Sequence, residues 1–224
     1  MRKVIAVLSS MVLLCTGCTV EKGDKLGEAE FETNIIQFEV EPNEGQPRYN
    51  AIVEVKNTGD EAFDLGYSVF TVRDSEGKLV AVESSSAIGA YPSIVYPGES
   101  GYYFADRIEL PNTVDTSKSY TLEYETNHIH TTDTDGVKDY EVKDVSLPDN
   151  DYTEIIGEVV NNSDSGTVDV LCICYDKDKN IVTMGGAIAN FDGDKDAYFD
   201  ITNYSAWGRD NITDYEIIAR TNKH

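Results

Sequence analysis

Few side chains here have both the type and the spacing for chemistry. The chain holds four Cys and three His. Cys172 and Cys174 are two apart, which in a strand puts both thiols on one face with Cα atoms ~6.6 Å apart. That is the edge of disulfide reach, and the Cβ vectors run parallel. No other Cys or neighbouring His completes a zinc set, so the pair reads as small core hydrophobes. His128-Ile129-His130, followed by Asp133 and Asp135, offers at most a weak transition-metal donor set and reads as solvated linker. Asp176-Lys177-Asp178-Lys179-Asn180 and Asp192-Gly193-Asp194-Lys195-Asp196 imitate the opening of an EF-hand loop. The sixth and twelfth positions, which such a loop reserves for Gly and Glu, hold Ile181 and Ala187 in one and Ala197 and Asn203 in the other. Both read as charged hairpin tips. No metal and no cofactor are expected.

Nucleophilic catalysis has as little support. There is no Gly-x-Ser-x-Gly elbow, Ser-x-x-Lys or His-Glu-x-x-His, and Ser84-Ser85-Ser86 has no His near it. No Gly-rich phosphate loop leads from a strand into a helix. Carboxylate pairs for glycosidase chemistry stay open among 41 acids, because their separation in space is not written in the sequence. The chain is expected to be non-catalytic. Contact chemistry is better supplied. The adjacent pairs Tyr103-Phe104 and Tyr198-Phe199 each place one ring inward and one outward. Tyr103, Tyr198, Tyr204 and Trp207 are taken as a platform for protein or sugar, a role aromatic rings favour.

The elements that must position these residues follow from composition and pattern. In 224 residues, 18 are Lys or Arg and 41 are Asp or Glu, a formal net charge of -23. That charge repels nucleic acid and anionic headgroups, so neither is an expected partner of the folded part. Forty per cent of the residues are apolar and 10% aromatic, which excludes a disordered acidic tail. Fourteen Tyr against one Trp and three Met favours strands.

The N-terminus carries an address. Met1-Arg2-Lys3 is followed by an apolar run over residues 4–14 and then Cys15-Thr16-Gly17-Cys18. Eleven residues of helix span ~16 Å, short of the ~30 Å hydrocarbon core, so the run reads as a signal-peptide helix rather than a membrane span. Gly17-Cys18 resembles the bacterial lipobox, although Cys15 stands where that motif usually has Leu. The resemblance implies cleavage before Cys18, lipid on its thiol, and anchoring at the extracytoplasmic face of the cell membrane. Glu21 to Glu30 reads as a flexible tether.

The rest is duplicated. Glu54-Val55-Lys56-Asn57 lines up with Glu158-Val159-Val160-Asn161, and Asp74 to Val80 with Asp176 to Val182. Pro97 to Phe104 lines up with Asp192 to Phe199, and Tyr120 to Thr126 with Tyr215 to Thr221, each at an offset of 95. Four blocks in one order define two copies of one unit. Period-two alternation, as in Ile52-Val53-Glu54-Val55-Lys56, and regular turn formers make each copy an antiparallel sandwich. In both, apolar positions four and two before an Asp (Phe70, Val72, Asp74; Cys172, Cys174, Asp176) put a core face on the third strand, with the Asp holding the turn through backbone amides. This pattern resembles the FxLYD-type domain, an Ig-like β-sandwich module of bacterial secreted and lipid-anchored proteins. The first copy has Val72-Arg73 for the Leu-Tyr pair, and the second has Cys172 and Cys174 for Phe and Leu. The resemblance implies fold and surface location and carries no catalytic residues.

The sequence therefore predicts an all-β chain: two tandem antiparallel Ig-like β-sandwiches after a signal-peptide helix. The expected segments are a leader over 1–17, lipidated Cys18 and tether over 18–30, a first sandwich over 31–126, a linker over 127–137 and a second sandwich over 138–224. The expected role is a non-catalytic, membrane-anchored surface protein displaying its sandwiches in series to bind a protein or glycan. A structural spacer is the alternative reading, and a metal-binding or hydrolytic surface protein a lesser one.

Overall fold

The structure is a computed structural model that describes residues 27–43, 46–84, 88–147, 153–161, 165–193, 195–203 and 211–222. The leader, Cys18, most of the tether, Tyr204 and Trp207 lie outside the described residues. The chain is all-β, with no α-helix among the described residues.

The first half supplies β1 (Phe31–Glu41), β2 (Arg48–Asn57), β3 (Phe63–Asp64), β4 (Tyr67–Asp74), β5 (Leu79–Glu83), β6 (Gly89–Tyr91), β7 (Ile94–Val95), β8 (Ser100–Glu109), β9 (Tyr120–Asn127) and β10 (His130–Thr131). The second supplies β11 (Val142–Ser146), β12 (Thr153–Val159), β13 (Gly166–Tyr175), β14 (Ile181–Phe191), β15 (Ala197–Asn203) and β16 (Asp214–Thr221). The main sheets run β1-β2-β8-β6 and β5-β4-β9 in the first half, and β11-β12-β15 and β14-β13-β16 in the second. The duplication is thus also one of strand order: β1-β2-β8 corresponds to β11-β12-β15, and β5-β4-β9 to β14-β13-β16.

Each half encloses its own core. Tyr49, Ala51, Val53 and Val55 of β2, Phe70 and Val72 of β4 and Tyr103 of β8 lie in one cluster. Ile155 of β12, Val168, Val170, Cys172 and Cys174 of β13, and Phe199 and Ile201 of β15 lie in another. A third cluster joins the halves. Ile52 and Tyr102 from the far face of the first half's sheet meet Leu171, Ile173 and Met184 from the far face of the second's. The expectation of sandwiches in series gives way to four sheets stacked face to face around three hydrophobic layers. The reason lies in the central strands. β13 is buried at every position from Val168 to Cys174, because its even residues face one layer and its odd residues the next.

Local chemistry repeats as well. Asp74 Oδ1 accepts the amides of Glu76 (2.9 Å) and Lys78 (2.9 Å). Asp176 Oδ1 accepts those of Asp178 (2.8 Å) and Asn180 (2.9 Å). Both aspartates hold hairpin tips, as their position in the sequence suggests, and a register shift falls at the same place in both ladders. Asn57 Nδ2 bonds the carbonyls of Glu61 (2.9 Å) and Val95 (3.1 Å), and Asn161 Nδ2 those of Gly193 (2.7 Å) and Lys195 (3.1 Å).

Two expected free segments are tied down. Within the linker, His130–Thr131 pairs with Phe63–Asp64. At the end of the tether, Glu28 bridges His130, Gly27 O accepts the Thr131 amide (3.2 Å), and Glu30 O accepts the amides of Thr58 (3.1 Å) and Gly59 (3.2 Å). The chain entering the first half is thereby stitched to the chain leaving it.

Two outcomes follow from these contacts. Leu171→Ala, which empties the middle layer, should cost about 2–5 kcal/mol in urea unfolding. The Asn180 side chain and amide hold the Asp176 carboxyl below the ordinary aspartate value, which is about 3.9. A carboxyl depressed in the native state contributes stability above its ordinary value and loses it as pH falls through the native one. Carboxyl NMR titration should place the Asp176 midpoint below about 3.9, and Asp176→Asn should lose less stability on acidification than the parent chain.

Candidate functional site

The residues with the most demanding environment sit where the halves meet. Arg220 lies on β16 and is 2% exposed. Nε donates to Asp139 Oδ1 (2.6 Å). Nη1 donates to Ile94 O (2.8 Å) and Glu99 Oε2 (2.8 Å), and Nη2 to Glu99 Oε1 (3.3 Å) and Asp139 Oδ2 (3.1 Å). All five donors of the guanidinium are used, and its carbon lies 4.0 Å from the centre of the Tyr96 ring. Burial works against the charge, but the two carboxylates outweigh it and hold Arg220 firmly protonated. Asp169, on the neighbouring strand β13 and also 2% exposed, accepts the Ser93 amide (2.9 Å) and Asn222 Nδ2 (2.7 Å). The contacts of Arg220 with Ile94, Tyr96 and Glu99, and of Asp169 with Ser93, cross between halves.

Around this clamp the joint is apolar and closely fitted. Tyr91 stacks on Phe104 with centroids 6.0 Å apart. A Cβ built on Gly186 of β14 would fall 2.7 Å from the Tyr91 ring, so only glycine admits this approach. Burial, with Glu54 and Glu216 nearby, pushes the Tyr102 phenol up to about 12. Burial and its hydrogen bond to Glu216 (3.0 Å) raise Tyr175 as well.

Beside the clamp opens a cleft of about 380 Å³. The first half lines it with Glu99, Ser100 and Tyr102; the second with Asp139, Tyr140, Ile173 and the strand residues from Glu216 to Arg220. Apolar side chains (Ile173, Ile217, Ile218) and carboxylates (Glu99, Asp139, Glu216) line it together, two of the carboxylates shared with Arg220. Such a surface accepts hydrogen bonds from hydroxyl or ammonium groups beside apolar side chains.

The sequence-derived platform is only partly a surface. Tyr198 is 59% exposed on β15. Tyr103 does not belong to it: it is fully buried, and its hydroxyl donates to Leu65 O. The reason is register. Val53 pairs with Tyr103 and Gly157 with Phe199, so at this strand the halves correspond at an offset of 96, one more than the sequence match suggests. Tyr103 therefore corresponds to Phe199, and Tyr102 to Tyr198. One residue of slip exchanges inward for outward. Tyr204, Trp207 and Cys18 lie outside the described residues.

Cys172 and Cys174 are free thiols, fully buried in the second core. Their mutual hydrogen bond and burial raise Cys172. Among the described residues, no three His, Cys, Asp or Glu side chains are grouped to share a metal ion.

Sequence reasoning missed Arg220, Glu99, Asp139 and Asp169. A signal existed: Leu171 and Ile173 are apolar on the face of β13 opposite the core face, which announces a second covering layer.

A scan against models of protein families, a search of curated proteins and a search of solved structures each found no match to this chain. The fold and joint define a class by themselves: an all-β protein of two sandwich-like halves, locked face to face by an apolar layer and one buried arginine.

Replacing Arg220 by Met leaves the Ile94 carbonyl and two carboxylates without their donor. Both carboxylates are about half exposed and can turn to water. The loss should be about 2 kcal/mol in urea unfolding, below the 3–5 kcal/mol typical of a fully buried pair. Arg220→Lys should recover only part, since an ammonium has three donors and no planar fork.

Proposed function

We propose that this chain is a non-catalytic, lipid-anchored interaction protein of the bacterial cell surface, held by Cys18 and built from two FxLYD-type, Ig-like sandwiches. The basic start, short apolar run and Gly17-Cys18 support the anchor. The duplicated Asp-held hairpins support the module type. The observation that carries the binding role is the cleft between the halves. Its two walls come from different halves and are held in fixed relation by Arg220, so a ligand would meet a preorganised surface. The acceptor-rich lining suits a protein segment or glycan that donates hydrogen bonds. The second reading, a rigid spacer, is favoured by the same clamp and middle layer, which make the halves one stiff body.

The test uses the soluble chain from Thr19 onward, immobilised and offered envelope glycan fragments and envelope proteins. Glu216→Gln, which keeps an acceptor for Tyr175 but removes the charge from the cleft, should reduce capture about tenfold without changing the melting temperature; tenfold is about 1.4 kcal/mol. Capture lost only with Trp207→Ala would move the site to the aromatic platform. No capture by any form would leave the spacer. On the full-length chain, Cys18→Ala should abolish the lipid mass increment.

A further inference from the structure

The joint between the halves is heterologous: the first half contributes its β1-β2-β8-β6 face, the second its β14-β13-β16 face. Because the halves share strand order except for β6, which has no counterpart in the second half, each retains most of the face its neighbour uses. The β5-β4-β9 face of the first half and the β11-β12-β15 face of the second form the two ends of the stack.

These ends keep apolar residues at some of the positions buried in the joint, while Thr71, Asp200 and Glu125 stand where the joint has Ile173, Phe104 and Ile218. Ladder pairing equates Val82 with Met184 and Leu79 with Ile181, since Thr71 pairs with Val82 as Ile173 does with Met184, and Arg73 with Leu79 as Tyr175 does with Ile181. Met184 is 3% exposed in the joint, whereas Val82 is 52% and Leu79 51% exposed on the free end. At the other end Tyr198 is 59% exposed, and its counterpart Tyr102 is 7% exposed. Ile156 corresponds to Ile52 in the same way. Polar positions correspond too. Tyr175 bonds Glu216, and in their places Arg73 bonds Glu123 at 2.7 Å. Glu158 stands where the joint has Glu54.

We propose that copies of this chain stack head to tail, the β11-β12-β15 face of one on the β5-β4-β9 face of the next, repeating the internal joint between molecules. Asn127 pairs with Tyr67 as Arg220 does with Asp169, so the intermolecular joint lacks the arginine clamp and is weaker than the internal one. Acidic residues on both ends, Glu125 and Asp200 among them, weaken it further. A heterologous contact of this kind closes into a ring or extends as a filament according to the rotation per joint.

Sedimentation of the chain from Thr19 onward, which keeps every described residue, tests this independently of the lipid anchor and of any cleft ligand. The average mass should rise with concentration from micromolar to millimolar and pass beyond the dimer. Val82→Asp and Tyr198→Asp, each with unchanged circular dichroism and melting temperature, should remain monomeric alone. Mixed, they should form a dimer and stop there, because one intact face of each remains. Leu79→Asp replaces Val82→Asp if the latter misfolds. A wild-type chain that stays monomeric throughout overturns the proposal. So does a wild-type oligomer that either variant forms equally well alone, or that the mixture fails to restore as a dimer.

Discussion

A strand covered on both faces must be apolar at consecutive positions, and its few polar groups must find partners within the protein. β13 meets this constraint, and the rest of the structure depends on it. Its even residues close the second core, and Leu171 and Ile173 form the middle layer with Ile52, Tyr102 and Met184. Asp169, the polar residue in this run, is satisfied by the Ser93 amide and the Asn222 side chain. Two sandwich-like halves thus share a layer and cannot hang as separate beads. The apolar layer supplies most of the adhesion, through area removed from water.

Arg220 adds geometry to that adhesion. A buried ion pair contributes little net stability once desolvation is counted, but its directional bonds fix register. Five donors answered by Asp139, Glu99 and Ile94, with Tyr96 against the guanidinium face, admit one relative placement of the halves. Asp139 lies just beyond the expected linker, so the same clamp also holds the chain where it enters the second half. The cleft exists because this placement is held, which connects a single side chain to the concavity between the halves.

Much of the local structure was legible. The turn role of Asp74 and Asp176 follows from an acceptor placed ahead of adjacent backbone amides, and needs no tertiary knowledge. The burial of Cys172 and Cys174 follows from period two. Legibility ended where strands had to be paired. Tyr103-Phe104 looks like Tyr198-Phe199 in letters, yet the ladders equate Tyr103 with Phe199. In the last strand the ladders shift the match by two residues, which preserves the face and so did no harm to the reading. A shift of one reverses it, and that parity moved Tyr103 from platform to core. The joint was illegible for a different reason: which outer face meets which is a property of two surfaces together, and the apolar letters of either are compatible with several partners.

By itself, then, the amino-acid order determined the strand content, the duplication, the hairpin tips and the inward set of β2, β4 and β13, because these depend on neighbours within a few residues and on a period of two. Only the tertiary structure decided that the halves lie face to face, that Arg220 joins residues more than eighty positions away, and that Tyr198 faces water while Tyr103 does not. Those outcomes depend on long-range register and on the mutual fit of sheets, which no local pattern encodes.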